Sequence, residues 1–414
     1  MEFQKIKLHR SEKNRAAVTQ ITLDDDYNVP DYRQDIVKVI KERGELRFDE
    51  VKAMEGAAWI KGSLLFKVLY RSDKQEGKIS CLRGEIPFQE RLNMDGLSEY
   101  DAVHATGDME DLTIGVINSR KLNVRAVIVL TASSEKEVDE ELTCELSDGS
   151  SYEQNIVEKE ALKLLVVRRD ICRQKSEAVL PSSKPNIREI LWQSMQLRNV
   201  ESRLVEGNIR LSGEILVSIL YNDEEEGEHL SWYETTVPLD AQAECGVMED
   251  DCIWQVQMVP LTMELEVKPD YDGEERILVM ELALDTHIRI WKEEKIRLLT
   301  DLYSLQKEVK PVFRECPLER LLVKNAAKCR MTEQMELKED KEKVLQICSC
   351  EGKVLLERQE IKPDGVLAEG TVEVNILYIT PDDHMPVGAV QEIYPFSQLV
   401  EIPEMSAQAK VELD

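Results

Sequence analysis

Three stretches of the chain share one spacing. GSLLFKVLY from Gly62, GEILVSILY from Gly213 and GTVEVNILY from Gly370 each set a glycine eight residues before a tyrosine, at Tyr70, Tyr221 and Tyr378. A proline follows each tyrosine by seventeen residues, at Pro87, Pro238 and Pro395. A repeat of this kind means that one supersecondary unit is built three times. Counting back by twos from each tyrosine gives Val68, Phe66 and Leu64, then Ile219, Val217 and Ile215, then Ile376, Val374 and Val372, so one face is apolar in every copy. The other face carries Lys67, Ser218, Glu373 and Asn375 among leucines, the pattern of a strand with one buried and one mixed face. β-Branched enrichment favours strand over helix. SDKQEG, DEEEGE and TPDDHM supply the residues of hairpin connections, and KISCLRGEIPF, HLSWYETTVPL and VGAVQEIYPF read as return arms that their prolines end or push to a sheet edge.

The repeat extends outward from the hairpins. Leu164-Leu165-Val166 with Cys172 matches Leu321-Leu322-Val323 with Cys329 at an offset of 157, and Leu23, Leu180 and Leu337 align at that same offset. DIVKVI at 35–40, NIREIL at 186–191 and KVLQIC at 343–348 space their apolar residues by three and four, which predicts one or two helical turns, although KVLQICSC also fits a strand. The runs 122–132 and 276–291 alternate as further antiparallel strands. The expected fold is therefore mainly β, three tandem antiparallel β-sandwich-like repeats with short helices at the unit starts, over residues 1–157, 158–314 and 315–414. The third unit is partial: it stops at Asp414, where the first two still have several dozen residues to run, which predicts a shortened unit or a fragment.

Composition excludes several partners. With 53 basic against 81 acidic side chains the formal charge is −28, which repels nucleic acid and anionic lipid. No apolar run approaches a membrane span, and MEFQKIKLHRSEKNR lacks the apolar core of a secretory signal. Nine scattered cysteines are unlike an extracellular disulfide framework and fit a reducing cytoplasm. In a regular strand Cys348 and Cys350 would share a face, and without a second pair or histidines at ligand spacing they read as buried free thiols. No phosphate loop, nucleophile elbow or zinc helix is present, so no catalytic residue, cofactor or metal is expected. His384 beside Asp382-Asp383 falls in a hairpin turn and reads as solvated, and Asp223-Glu224-Glu225-Glu226 lacks the alternation of a calcium loop. Trp232-Tyr233 is the aromatic pair to watch, because neighbours in a strand point to opposite faces; with Lys67 on the mixed face, these are the candidate protein-contact residues.

VPDYRQDIVKVIKERGELRF, GSLLFKVLYRSDKQEGKIS and EIPFQERL together resemble the SPOCS-type domains of clostridial spore-coat morphogenetic proteins. SSKPNIREIL with GEILVSILY and TVPL repeats the pattern, and GTVEVNILY with YPFSQL repeats it again. The resemblance implies a non-enzymatic scaffold in the mother cell, linking the coat's basement-layer ATPase, SpoIVA, and other coat proteins to the forespore surface. It also implies that ATPase contact lies chiefly in a LysM module, of which this chain shows no pattern. The alternatives are a carbohydrate- or wall-binding β-repeat protein, which would expose aromatics on one face, and a hydrolase with carboxylates converging from different units.

Overall fold

The computed structural model describes residues 2–72, 77–147, 152–224, 229–249, 251–306, 308–326, 328–335, 343–403 and 405–413, apart from the side chains of residues 12–15. Among these residues every regular element is a strand, and all the sheets are antiparallel. The first unit opens with β1 (Phe3–Asn28), makes a meander of β2 (Lys38–Met54), β3 (Ala57–Arg71) and β4 (Ile79–Asn93), and closes with β5 (Val103–Asn118) and β6 (Lys121–Leu146). β6 returns between β1 and β5, so the unit has two three-stranded sheets, β2-β3-β4 and β1-β6-β5. The second unit repeats this with β7 (Glu153–Val179), β8 (Ile187–Val205), β9 (Asn208–Asp223), β10 (Leu230–Glu244), β11 (Cys252–Pro269) and β12 (Glu275–Tyr303), as sheets β8-β9-β10 and β7-β12-β11. The third contributes one sheet, β13 (Gln346–Lys362), β14 (Gly365–Ile379) and β15 (Val387–Glu401).

Side-chain parity explains the two sandwiches. Tyr70, Val68, Phe66 and Leu64 on β3 pack against Leu122, Val124, Ala126, Ile128 and Leu130 on β6, forming one continuous core. In the second unit Tyr221, Ile219, Val217 and Ile215 meet Leu278, Met280, Leu282 and Leu284 of β12. Each tyrosine also has a polar task. The Tyr70 hydroxyl donates to the carbonyl of Gln34 and that of Tyr221 to the carbonyl of Pro185, both at 3.1 Å, tying the central strand to the turn that leads into its sheet.

The recurrent glycine and proline have distinct causes. Each glycine lies beside a β-bulge in the neighbouring strand, between Phe48 and Glu50, Arg198 and Glu201, or Leu356 and Arg358. A Cβ on Gly62 or Gly370 would overlap the carbonyl oxygen of Arg47 or Leu355, and one on Gly213 would stand 2.9 Å from that of Arg198. Pro87, Pro238 and Pro395 sit in β4, β10 and β15, each an edge strand where a missing N–H is tolerated.

Four expectations are corrected. The unit starts hold no helices: residues 38–40, 187–191 and 346–348 are strand, and bulges there explain the helix-like spacing, because an extra residue breaks the period of two. Cys348 and Cys350 do not share a face, since the bulge turns Cys348 inward and leaves Cys350 exposed. The residue equivalent to Leu180 is Val29, not Leu23. The N–H groups of Val29 and Leu180 donate at 2.9 Å to the carbonyls of Arg120 and Arg276 respectively, and 180 − 29 = 151 equals 221 − 70. Leu337 lies outside the described residues. Finally, Leu321-Leu322-Val323 match β7 in sequence, but these residues form no strand.

The third sheet has no described strands against its tyrosine face. Tyr378 is buried, but Val372, Val374 and Ile376 are half-buried and Ile347, Val354 and Leu356 are exposed. Truncation should therefore cost unequal amounts at equivalent sites. Ile219→Ala, at a fully buried position, is expected to lower stability by about 3 kcal/mol, and Ile376→Ala by about 1 kcal/mol. Urea titration of both variants followed by tryptophan fluorescence measures the difference.

Candidate functional site at the three-sheet junction

The second faces of the three meanders meet one another. One bulge, recurring in each copy, creates the contact: Tyr70, Tyr221 and Tyr378 pair with Val39, Ile190 and Ile347, while Leu69, Leu220 and Leu377 pair with Lys41, Trp192 and Ser349. The residue skipped in each case is Ile40, Leu191 or Cys348. All three turn into a shared cluster with Leu69, Leu220 and Leu377, completed by Ile79, Leu230 and Val387 from the return arms. Equivalent side chains thus surround a pseudo-threefold axis.

Adjoining that apolar ring is a polar one, fixed by strand register. Lys67 stands opposite Arg43 and Arg83 on the first sheet; Ser218 opposite Ser194 and Glu234 on the second; Asn375 opposite Glu351 and Gln391 on the third. Arg43 crosses between units to Glu351 at 3.3 Å and also pairs with Glu45 at 3.0 Å. Arg83 donates to the side-chain oxygen of Gln193 at 3.5 Å. Lys41 and Lys67 both approach the Trp192 ring, 5.4 and 5.0 Å from its centroid, in cation–π contact.

Burial controls the charge states here. Desolvation holds the Lys41 ammonium below the ordinary lysine range, with Glu351 opposing the shift, and pushes Lys67 down to about 8. Desolvation likewise pushes the Cys348 thiol up to about 12. All nine cysteines are free, and no group of side chains among the described residues forms a metal-binding cluster.

The candidate residues land in different surroundings. Lys67 lies on the junction face. Trp232 borders the junction cluster, and the Lys184 ammonium sits 4.7 Å from its ring centroid. Tyr233 points the other way and packs on the second sandwich core. The three repeated tyrosines are buried and offer no stacking face to a sugar. Asp223 is buried and accepts from the His229 backbone N–H at 3.1 Å; Glu225 and Glu226 lie outside the described residues. His384 sits in a turn closed by its own N–H to Asp382, and its carbonyl accepts from Arg71, so that turn docks on the first unit. His104 and His287, isolated in sequence, stack with centroids 5.3 Å apart where the first two units meet. Sequence reading missed Lys41, Trp192, Arg120 and Arg276. The two arginines clasp the lead-in turns through the carbonyls of Val29, Pro30 and Arg33 and of Leu180, Pro181 and Lys184. An arginine just before β6 and another at the start of β12 were the available signal.

The family described as SipL, SPOCS domain, matches residues 35–117 and 343–414. Those segments span β2 to β5 in the first unit and the whole third sheet. In these two segments, which make up over a third of its length, the chain resembles the SPOCS domain of SipL. That resemblance suggests a sporulation-related protein. No curated protein and no solved structure matches the chain. No described helix is long and apolar enough to cross a membrane.

Two outcomes follow from the junction. Iodoacetamide at pH 8 should modify the exposed Cys329 and Cys350 in the native chain and leave Cys348 unmodified until denaturant is added, as peptide mass mapping would show. For Lys67 the folded-state value lies below the unfolded one, so the cost of burying its charge is full below pH 8 and is relieved from there to about pH 10. In buffer free of small anions, wild-type stability relative to Lys67→Met is expected to rise across that window by roughly 2–3 kcal/mol, read from denaturant midpoints at each pH.

Proposed function

We propose that the chain is a non-enzymatic scaffold in spore-coat morphogenesis that helps link the basement-layer ATPase SpoIVA to the forespore surface. The observation that carries this reading is the SPOCS-domain match at both ends of the chain, in the first and third units. The architecture supports it. Three sheets packed on a common axis hold the units in fixed relation, which suits a spacer between two assemblies. The exposed apolar side chains Val354 and Leu356 lie together on the tyrosine face of the third sheet, with Ile347 at the far end of the same face, a surface of the kind that marks protein contacts. The SPOCS family is not known for enzymatic activity. The site of action under this reading is the mother-cell side of the developing spore.

Affinity capture from sporulating cells with the tagged full chain is expected to recover SpoIVA, and Val354→Glu with Leu356→Glu to reduce that recovery severalfold. Normal coat encasement in cells from which residues 1–414 have been deleted would refute the scaffold role.

A further inference from the structure

We propose that the three-sheet junction binds a small inorganic anion of chloride size, held by Lys41, Lys67, Trp192 and Ser218. Four side-chain donors are buried there with no hydrogen-bond acceptor among the described residues: Lys41 Nζ, Lys67 Nζ, Trp192 Nε1 and Ser218 Oγ. Buried polar groups in folded proteins are nearly always paired, and charged ones most of all. All four orphans are donors or, in the serine, able to donate. One species that only accepts satisfies the whole set.

The charge balance points the same way. Lys67 has arginines directly opposite on both neighbouring strands, an arrangement that destabilises a sheet unless a counter-charge is present. With Lys41 the first unit brings four cations to this face; Glu351 of the third unit and Glu45 both pair with Arg43, so that among the described residues Lys41, Lys67 and Arg83 have no paired carboxylate. The fold itself does not require the lysines. At the positions of Lys41 and Lys67 the second unit has Trp192 and Ser218, and the third has Ser349 and Asn375, all uncharged. The burial of Lys41, 7% exposed, and of the orphan atoms excludes a peptide carboxylate or a nucleotide and selects a compact ion. Because the donors come from two units and Glu351 from the third, occupancy stabilises the docked arrangement of the units, as any ligand specific to the folded state does. The proposal stands apart from the scaffold reading and does not rest on it.

Thermal unfolding of the full chain in sodium chloride and in sodium gluconate at matched ionic strength tests it. The expected result is a saturable rise of several degrees in the midpoint with chloride, absent with gluconate, and lost in Lys41→Met and Lys67→Met. Crystals grown in bromide should show an anomalous peak beside Trp192. Equal midpoints in the two salts, or a chloride response that survives both lysine substitutions, would overturn the proposal. If the variants do not fold, the bromide experiment on wild type decides, and a junction without a peak refutes the site.

Discussion

The structure depends on a single constraint: three central strands must bury one face against one another, and two of them, β3 and β9, are covered on the opposite face as well. A strand covered on one side by a sandwich partner normally turns its other side to water, and its side chains alternate accordingly. Here the second face meets two copies of itself at Leu69, Leu220 and Leu377, each 0–1% exposed. Burying a leucine completely is worth about 1.5–3 kcal/mol, so this ring contributes substantially to holding the units together. The bulge before each leucine is part of the same solution. By admitting one extra residue it turns Ile40, Leu191 and Cys348 inward together with their neighbours, widening the apolar ring without lengthening the sheet.

That device also decides what could be read from the sequence. Strict alternation ending at Tyr70, Tyr221 and Tyr378 revealed the central strands and their sandwich face, because nothing interrupts the period of two between glycine and tyrosine. The flanking strands β2, β8 and β13 carry bulges near both ends, so their apolar residues fall at intervals of three and four and imitate a helix. Bulges have no strong local signature; they follow from the register of the paired strand, which sequence does not display. The junction was hidden for a related reason. Lys67 was visible as a mixed-face residue, but its proximity to Trp192 depends on packing between units some 125 residues apart in sequence (192 − 67).

A second zone binds the first two units at the far ends of their longest strands. β1, β6, β7 and β12 run 26 to 29 residues, well beyond what the sandwiches need. Their extensions meet around Leu8, Leu142, Ala161 and Ile296. Two carboxylates with little solvent contact sit between elements there. Glu140 of β6 is shared by Arg10 and Arg314, and Glu135 pairs with Arg289 at 3.3 Å and His287 at 3.6 Å. Such pairs contribute less to net stability than to a unique arrangement, since the penalty for leaving one partner buried alone falls on every misdocked alternative.

The pseudo-threefold ring also differs from a true one in what it permits. Three identical subunits around an axis must repeat every side chain, so a lysine near the centre would appear three times and repel itself. Joining the copies in one polypeptide removes that rule. One copy has supplied basic residues, the next an indole, hydroxyls and a carboxylate, and the last a carboxylate, a hydroxyl and amides, at equivalent register positions. The linkage therefore gives the axis a chemical polarity that no homotrimer of the same sheet can possess, and each copy can change there without the other two.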